Sequence, residues 1–189
     1  MTVSARVGDV RLLFDPFARV SRGAGILVAI VVMIAGVAIA RMGVRFDGFL
    51  DLHVTGREVP LRVAVADQVV AIPLGVCIGW AVARLFRARA DLFDVLSAVA
   101  VARIPPLLGA PLVALLSPPP DRLVAEALAG SPVILLIAVI ALPIVAWHIT
   151  LLVFGMRHAT ALQGGRLAGL VVAFILSAEI ASKLVLRIL

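Results

Sequence analysis

Five stretches of the chain stay apolar long enough to matter in a bilayer: 24–40, 60–86, 94–117, 131–156 and 167–186. At about 1.5 Å per residue, helices of these lengths approach or exceed the roughly 30 Å of a hydrocarbon core, so each predicts a transmembrane helix. Polar positions collect between them. Arg6, Arg11, Arg19 and Arg22 precede the first span, interleaved with Val10, Leu12, Leu13, Phe14, Phe17 and Val20 and interrupted by Pro16. Such a segment lies on a membrane surface, apolar side down and arginines among the headgroups. The longest polar connection is 41–58, which predicts a solvated, salt-bridged loop. A short charged turn occupies 87–94, and 117–130 opens with PPPDR before a short interfacial helix around 123–128. The expected fold is therefore all-α: a polytopic membrane bundle of five transmembrane helices over 24–189, preceded by an N-terminal interfacial segment over 1–23. Ala38 and Ala40 imitate a signal-peptidase site, but Asp9 and Asp15 in the basic region and four further spans make 24–40 a retained anchor.

Composition agrees with this class. Of the 189 residues 63% are hydrophobic, well above the roughly 45–50% of soluble domains. The net charge of +6 calls for no nucleic-acid partner, because the basic residues sit between spans, where topology signals sit. Lys183 is the only lysine among many arginines, which beside so much Ala, Val and Leu points to a GC-rich bacterial gene and a bacterial cytoplasmic membrane. Five spans put the termini on opposite sides, and the basic residues are slightly more numerous on the side of the N-terminus, which places it in the cytoplasm. Cys77 stands alone within a span, so one chain can build neither a disulfide framework nor a Cys-based metal site.

Candidate chemistry comes from polar residues inside the apolar runs. Asp67 lies about two turns into the second span, Glu179 lies in the fifth, and Arg103 lies near the middle of the third, just before Pro105 and Pro106. Charges at such depth are costly unless paired, and mark either structural contacts or a functional site. Asp67 descends from the face toward which Glu179 rises, both roughly 10 Å inside it. Arg103 comes from the opposite face and meets either acid if the helices tilt. The prolines push Ile104 and Pro105 away from helical geometry, and the carbonyls of Val101 and Ala102 become candidate acceptors for the arginine itself. Glu179 and Lys183 stand four apart, in the favourable order for a same-helix ion pair. Trp147 reads as an interfacial anchor and His148 as a packed polar residue. Gly75 and Gly79 form a GxxxG pair that allows close helix approach. In the 41–58 connection, Asp47, Asp51 and His53 cluster with Glu58; carboxylates and an imidazole are metal-ligand types, yet no recognised zinc or calcium spacing is present, and Arg41, Arg45 and Arg57 stand by to neutralise the acids.

Several elements together resemble a known family. FDGFLDLHVT from Phe46, VADQ around Asp67, DVLSAVAVARIPPLL, AWHITLLVFGMRHATAL and SAEIASKLVL are similar to the bacterial branch of the Yip domain family of five-span membrane proteins, most specifically in the ARIP element at 102–105 and the W-x₃-L element of Trp147 and Leu151. The resemblance implies an all-helical bundle. Eukaryotic members act in vesicle trafficking and bind Rab-type GTPases, but they have longer cytosolic N-terminal regions and a DLYGP-like motif; this chain has no Tyr and carries LFDPF at 13–17 in that place, so GTPase binding is not carried over.

The function expected from these features is that of a scaffold or adaptor in membrane organisation, not an enzyme and without a cofactor. Its partners are the lipid bilayer and either another membrane protein or a second copy. The alternative is a small transporter or channel component that uses Asp67, Arg103 and Glu179. Such a chain commonly carries inverted repeats, which are not evident here.

Overall fold

The computed structural model describes residues 12–46, 48–50 and 52–188. Asp47, Asp51 and the first eleven residues of the interfacial segment lie outside the described residues. Seven α-helices occur among the described residues: α1 (Arg22–Ala40), α2 (Leu61–Leu85), α3 (Leu92–Ala102), α4 (Ile104–Leu116), α5 (Pro120–Leu128), α6 (Pro132–Thr160) and α7 (Gly164–Ile188). Two two-residue strands, β1 (Val44–Arg45) and β2 (His53–Val54), stand between α1 and α2. Five helices are long and apolar enough to cross a membrane, with α3 and α4 together making the third. The chain is an all-α, multi-pass membrane protein.

Local chemistry sets the helix starts. Ser21 caps α1 by accepting from the Ala24 N–H at 3.2 Å, and Asp91 caps α3 by accepting from Phe93 N–H at 2.8 Å. Prolines open α4, α5 and α6, where the first turn needs no amide hydrogens. That corrects the expected distortion after Arg103. Ile104 and Pro105 are themselves helical, and the interruption is confined to Arg103, whose backbone keeps φ −74° and ψ −13°. Because both prolines fall within the first turn of α4, their missing N–H groups remove nothing the new helix requires. At the other end, α6 stops at Ala161, whose φ of 56° is left-handed and whose N–H returns to the Arg157 carbonyl at 2.8 Å. Helix α5 has no buried residue and lies on the outside, as its amphipathic pattern predicts.

The hub is α3. Val95 and every residue from Ser97 to Ala102 are buried, with α1, α2 and α6 packed around them. Between lipid-immersed helices there is little hydrophobic drive to associate, so the contact surfaces must gain dispersion energy through close approach. Small residues provide it. A Cβ at Gly25 would overlap Ser97, and one at Gly155 would lie 2.6 Å from the Ala98 Cβ, so both helices touch α3 nearly backbone to backbone. Helix α7 completes the bundle against α2, with Phe174 buried in the core.

The 41–58 connection is not the solvated loop its polarity predicts. Gly43, at φ +81°, turns the chain back, and its carbonyl accepts from Thr55 N–H at 2.8 Å and Thr55 Oγ1 at 3.0 Å. β1 and β2 then pair antiparallel, Val44 with Val54 and Arg45 with His53. Between the two strands the chain enters the bundle. Phe46 and Phe49 are only 2% and 1% exposed. Phe46 and Phe49, with the partly buried Leu52, supply an inward face that a count of the connection's charges obscures. The expected salt bridging is partly internal, since Arg41 pairs with Glu58.

Candidate functional site

Three helices hold the inserted loop by their polar residues. From α2, Asp67 accepts from Arg45 twice, Nε to Oδ2 at 3.0 Å and Nη2 to Oδ1 at 3.2 Å. The acid side chain is 2% exposed and the arginine 31%, so the pair reaches from the loop's rim to the buried interior of α2. From the α3–α4 joint, Arg103 Nη2 donates to the Gly48 carbonyl at 2.9 Å, and its guanidinium lies over the Phe49 ring, 5.4 Å from the centroid. From α7, Glu179 accepts from the Leu50 N–H at 2.9 Å while its other oxygen meets Lys183 Nζ at 3.3 Å. Non-helical backbone at membrane depth is tolerated only where protein satisfies its polar groups. Arg103 and Glu179 perform that task for the Gly48 carbonyl and the Leu50 N–H, while Asp67 holds the Arg45 side chain. Bidentate and backbone-directed contacts of this kind are the geometries that offset the desolvation of buried charges.

Phe49 is the apolar counterpart of these contacts. Its ring stands edge-on to His148, with centroids 5.8 Å apart at 70°, and meets Phe174 at 4.8 Å. Gly75 makes room for it: a Cβ there would lie 3.1 Å from the ring. The GxxxG pair thus serves two purposes. Gly75 admits the loop, while Gly79 admits Val95 of α3 and Phe174 of α7.

The residues singled out in the sequence distribute as follows. Asp67, Arg103 and Glu179 converge on one segment but do not pair with each other as anticipated; neither acid lies within ion-pair distance of Arg103. The alternative acceptors Val101 and Ala102 are replaced by Gly48, because the loop brings a free carbonyl to the guanidinium. The Glu179–Lys183 pair forms as its spacing predicts. Pro105 is buried at the start of α4. Trp147 is not merely an interfacial anchor: its Nε1 donates to the Leu13 carbonyl at 2.8 Å. The same N-terminal stretch places Asp15 Oδ1 2.9 Å from His158 Nε2 and packs Phe17 beside Gly155. The stretch from Leu13 to Phe17 is therefore strapped along α6. His148 is buried, as a packed polar residue should be. Of the loop cluster, His53 lies on β2 and is exposed, whereas Asp47 and Asp51 lie outside the described residues. Among the described residues no three His, Cys, Asp or Glu side chains group as a metal site would require.

Sequence reasoning missed Gly48 and Phe49, and it gave Arg45 the loop acids as partners without the contact to Asp67. The available signal was the apolar pattern of 46–52, which is too hydrophobic for a solvated connection. No protein-family model matches the chain, and no curated protein or solved structure matches it either.

Proposed function

We propose that this chain is a non-enzymatic scaffold or adaptor of a bacterial cytoplasmic membrane, N-terminus in the cytoplasm, whose intramembrane charges maintain the shape of the bundle. The supporting observation is that Asp67, Arg103 and Glu179 are each committed to the inserted loop, through Arg45, the Gly48 carbonyl and the Leu50 N–H. A transport path needs charges that face water and exchange partners during a cycle. Here the same side chains satisfy fixed backbone and side-chain groups from one segment. The resemblance to the Yip domain family belongs to this reading: its ARIP element supplies Arg103, and its W-x₃-L element supplies Trp147, which ties the N-terminal stretch to α6. A frame so closed offers its surfaces, not a reaction, to a membrane-protein partner or a second copy.

Reconstitution into liposomes tests the reading against the transporter alternative. The scaffold should leave proton and ion leak at the level of protein-free vesicles, and Asp67→Asn should lower the thermal unfolding midpoint. Flux through the wild type that disappears in Asp67→Asn at unchanged thermal stability would overturn it.

A further inference from the structure

Between α4 and α6 the tip of the inserted loop leaves a cavity of about 290 Å³. Its walls are aliphatic, with Val113 from α4 and Ile137 and Ala141 from α6. Among the described residues, its cationic or titratable lining residues are Arg103 and His148, 3% and 1% exposed. Leu50 and Val145 also line it and are 38% and 44% exposed, so the cavity opens through apolar side chains onto the outside of the bundle, where hydrocarbon lies.

The polar groups facing this space are incompletely used. Arg103 spends Nη2 on the Gly48 carbonyl, but its Nε has no hydrogen-bond partner, and it makes no ion pair among the described residues. Neither ring nitrogen of His148 has a partner; the Ala102 carbonyl faces the ring without hydrogen-bond geometry. Buried donors are almost always satisfied, and a guanidinium without a counter-ion at membrane depth is the more demanding case. Glu179, the acid whose field reaches Arg103 among the described residues, is engaged with Leu50 and Lys183. The unmet requirement is therefore an anionic acceptor with at least two oxygens, attached to an apolar body that can leave toward lipid.

We propose that the α4–α6 cavity binds a long-chain carboxylate, a fatty acid, with its head between Arg103 and His148 and its chain running past Ala141 toward the bilayer. One carboxylate oxygen takes the Arg103 Nε–H and the other takes an N–H of the neutral imidazole, so both orphaned residues are satisfied without any bond being made or broken. The volume is at the low end of the ~300–1,000 Å³ typical of ligand pockets. It holds the head and the first part of one chain, and the remainder lies in hydrocarbon. A second acyl chain has no room. This site goes beyond the scaffold reading, and the flux assay above decides that reading without bearing on it.

The test is photolabelling of the full chain in phosphatidylcholine nanodiscs with palmitic acid carrying a diazirine on its chain. Label should fall on peptides covering 106–113 and 137–145, be displaced by unlabelled palmitate, and resist hexadecanol, which lacks the anionic head. Arg103→Gln should reduce labelling about tenfold or more through loss of a charged hydrogen bond. Ala141→Phe fills the cavity from a half-buried position remote from the loop's charged contacts, and should abolish labelling with the thermal midpoint little changed; it and the hexadecanol competition decide the matter even if Arg103→Gln fails to fold. Label spread over outward positions such as Leu27, Val172 and Leu176, equal displacement by hexadecanol, or full labelling of Ala141→Phe would overturn the proposal. So would a diazirine phosphatidylcholine that labels the same peptides and is not displaced by palmitate, because the cavity would then belong to phospholipid.

Discussion

Asp67, buried in the second transmembrane helix, accepts two hydrogen bonds from Arg45 of the loop that precedes that helix, at 3.0 and 3.2 Å. The two residues are close in sequence and come from opposite sides of a chain reversal. Arg45 is placed by a two-residue strand and Asp67 by the second turn of α2. Their pairing folds the intervening segment inward, and Arg103 and Glu179 then hold its tip. The charged residues of this bundle are explained by one irregular segment rather than by each other.

Glu179 uses an acceptor oxygen on the Leu50 N–H, so its substitutions should separate charge from hydrogen bonding. Glu179→Gln keeps an amide oxygen for Leu50 and should lose about 1 kcal/mol or less. Glu179→Leu leaves a backbone donor unpaired and should lose about 1–3 kcal/mol. Reversible unfolding in mixed detergent checks the pair; equal losses for both would mean that the carboxylate acts through its charge on Lys183 or Arg103 instead.

The spans were legible because a bilayer imposes a length that a run of apolar residues reports directly. Predicted and observed helices agree closely at both ends of the second span, 60–86 against Leu61–Leu85. Arg103 was legible as a problem, since a cation beside two prolines in a span demands a partner. Its partner was not. The Gly48 carbonyl is an ordinary backbone group, and nothing in its local sequence announces that a reversal at Gly43 will carry it to mid-bundle. The contact of Arg45 with Asp67 was equally hidden: the three-arginine context suggested neutralisation within the loop, as occurs between Arg41 and Glu58, and the strand register also brings Arg45 to Asp67. Trp147 misled for a different reason. A tryptophan in a span has an apolar body and one donor, and composition alone cannot tell a headgroup acceptor from the Leu13 carbonyl.

Gly75 should be intolerant of side chains because Phe49 occupies its space. Gly75→Val is expected to cost about 1–3 kcal/mol by overpacking and to displace the loop tip. Amide hydrogen exchange across 46–52 should accelerate in that variant. Shortening the opposing ring in Gly75→Ala/Phe49→Leu should restore part of the protection lost in Gly75→Ala; no recovery would show that Phe49 is not what limits the site.

The strap from Leu13 to Phe17 depends on the Trp147 hydrogen bond to Leu13. Trp147→Phe retains an aromatic body but removes the donor, a loss of about 1 kcal/mol, which is roughly a fivefold rise in strap opening. Trypsin cleavage after Arg19 or Arg22 should quicken by that factor while the bundle's thermal midpoint moves little. Unchanged cleavage would mean that Phe17 and the Asp15–His158 contact hold the segment on their own.

A double-mutant cycle between Arg45 and Asp67, read as unfolding free energy of the purified protein in mixed detergent, tests most directly whether intramembrane charge holds the inserted loop. Arg45→Gln and Asp67→Asn should each cost about 2 kcal/mol, between the limits for exposed and fully buried pairs, because Arg45 is about one-third exposed. The double variant should lose much less than the sum, with a coupling of about 1–2 kcal/mol. Additive losses, or single variants as stable as the wild type, would contradict the account: the loop would then be held by its apolar residues alone, and Asp67 would be kept at that depth for some other purpose.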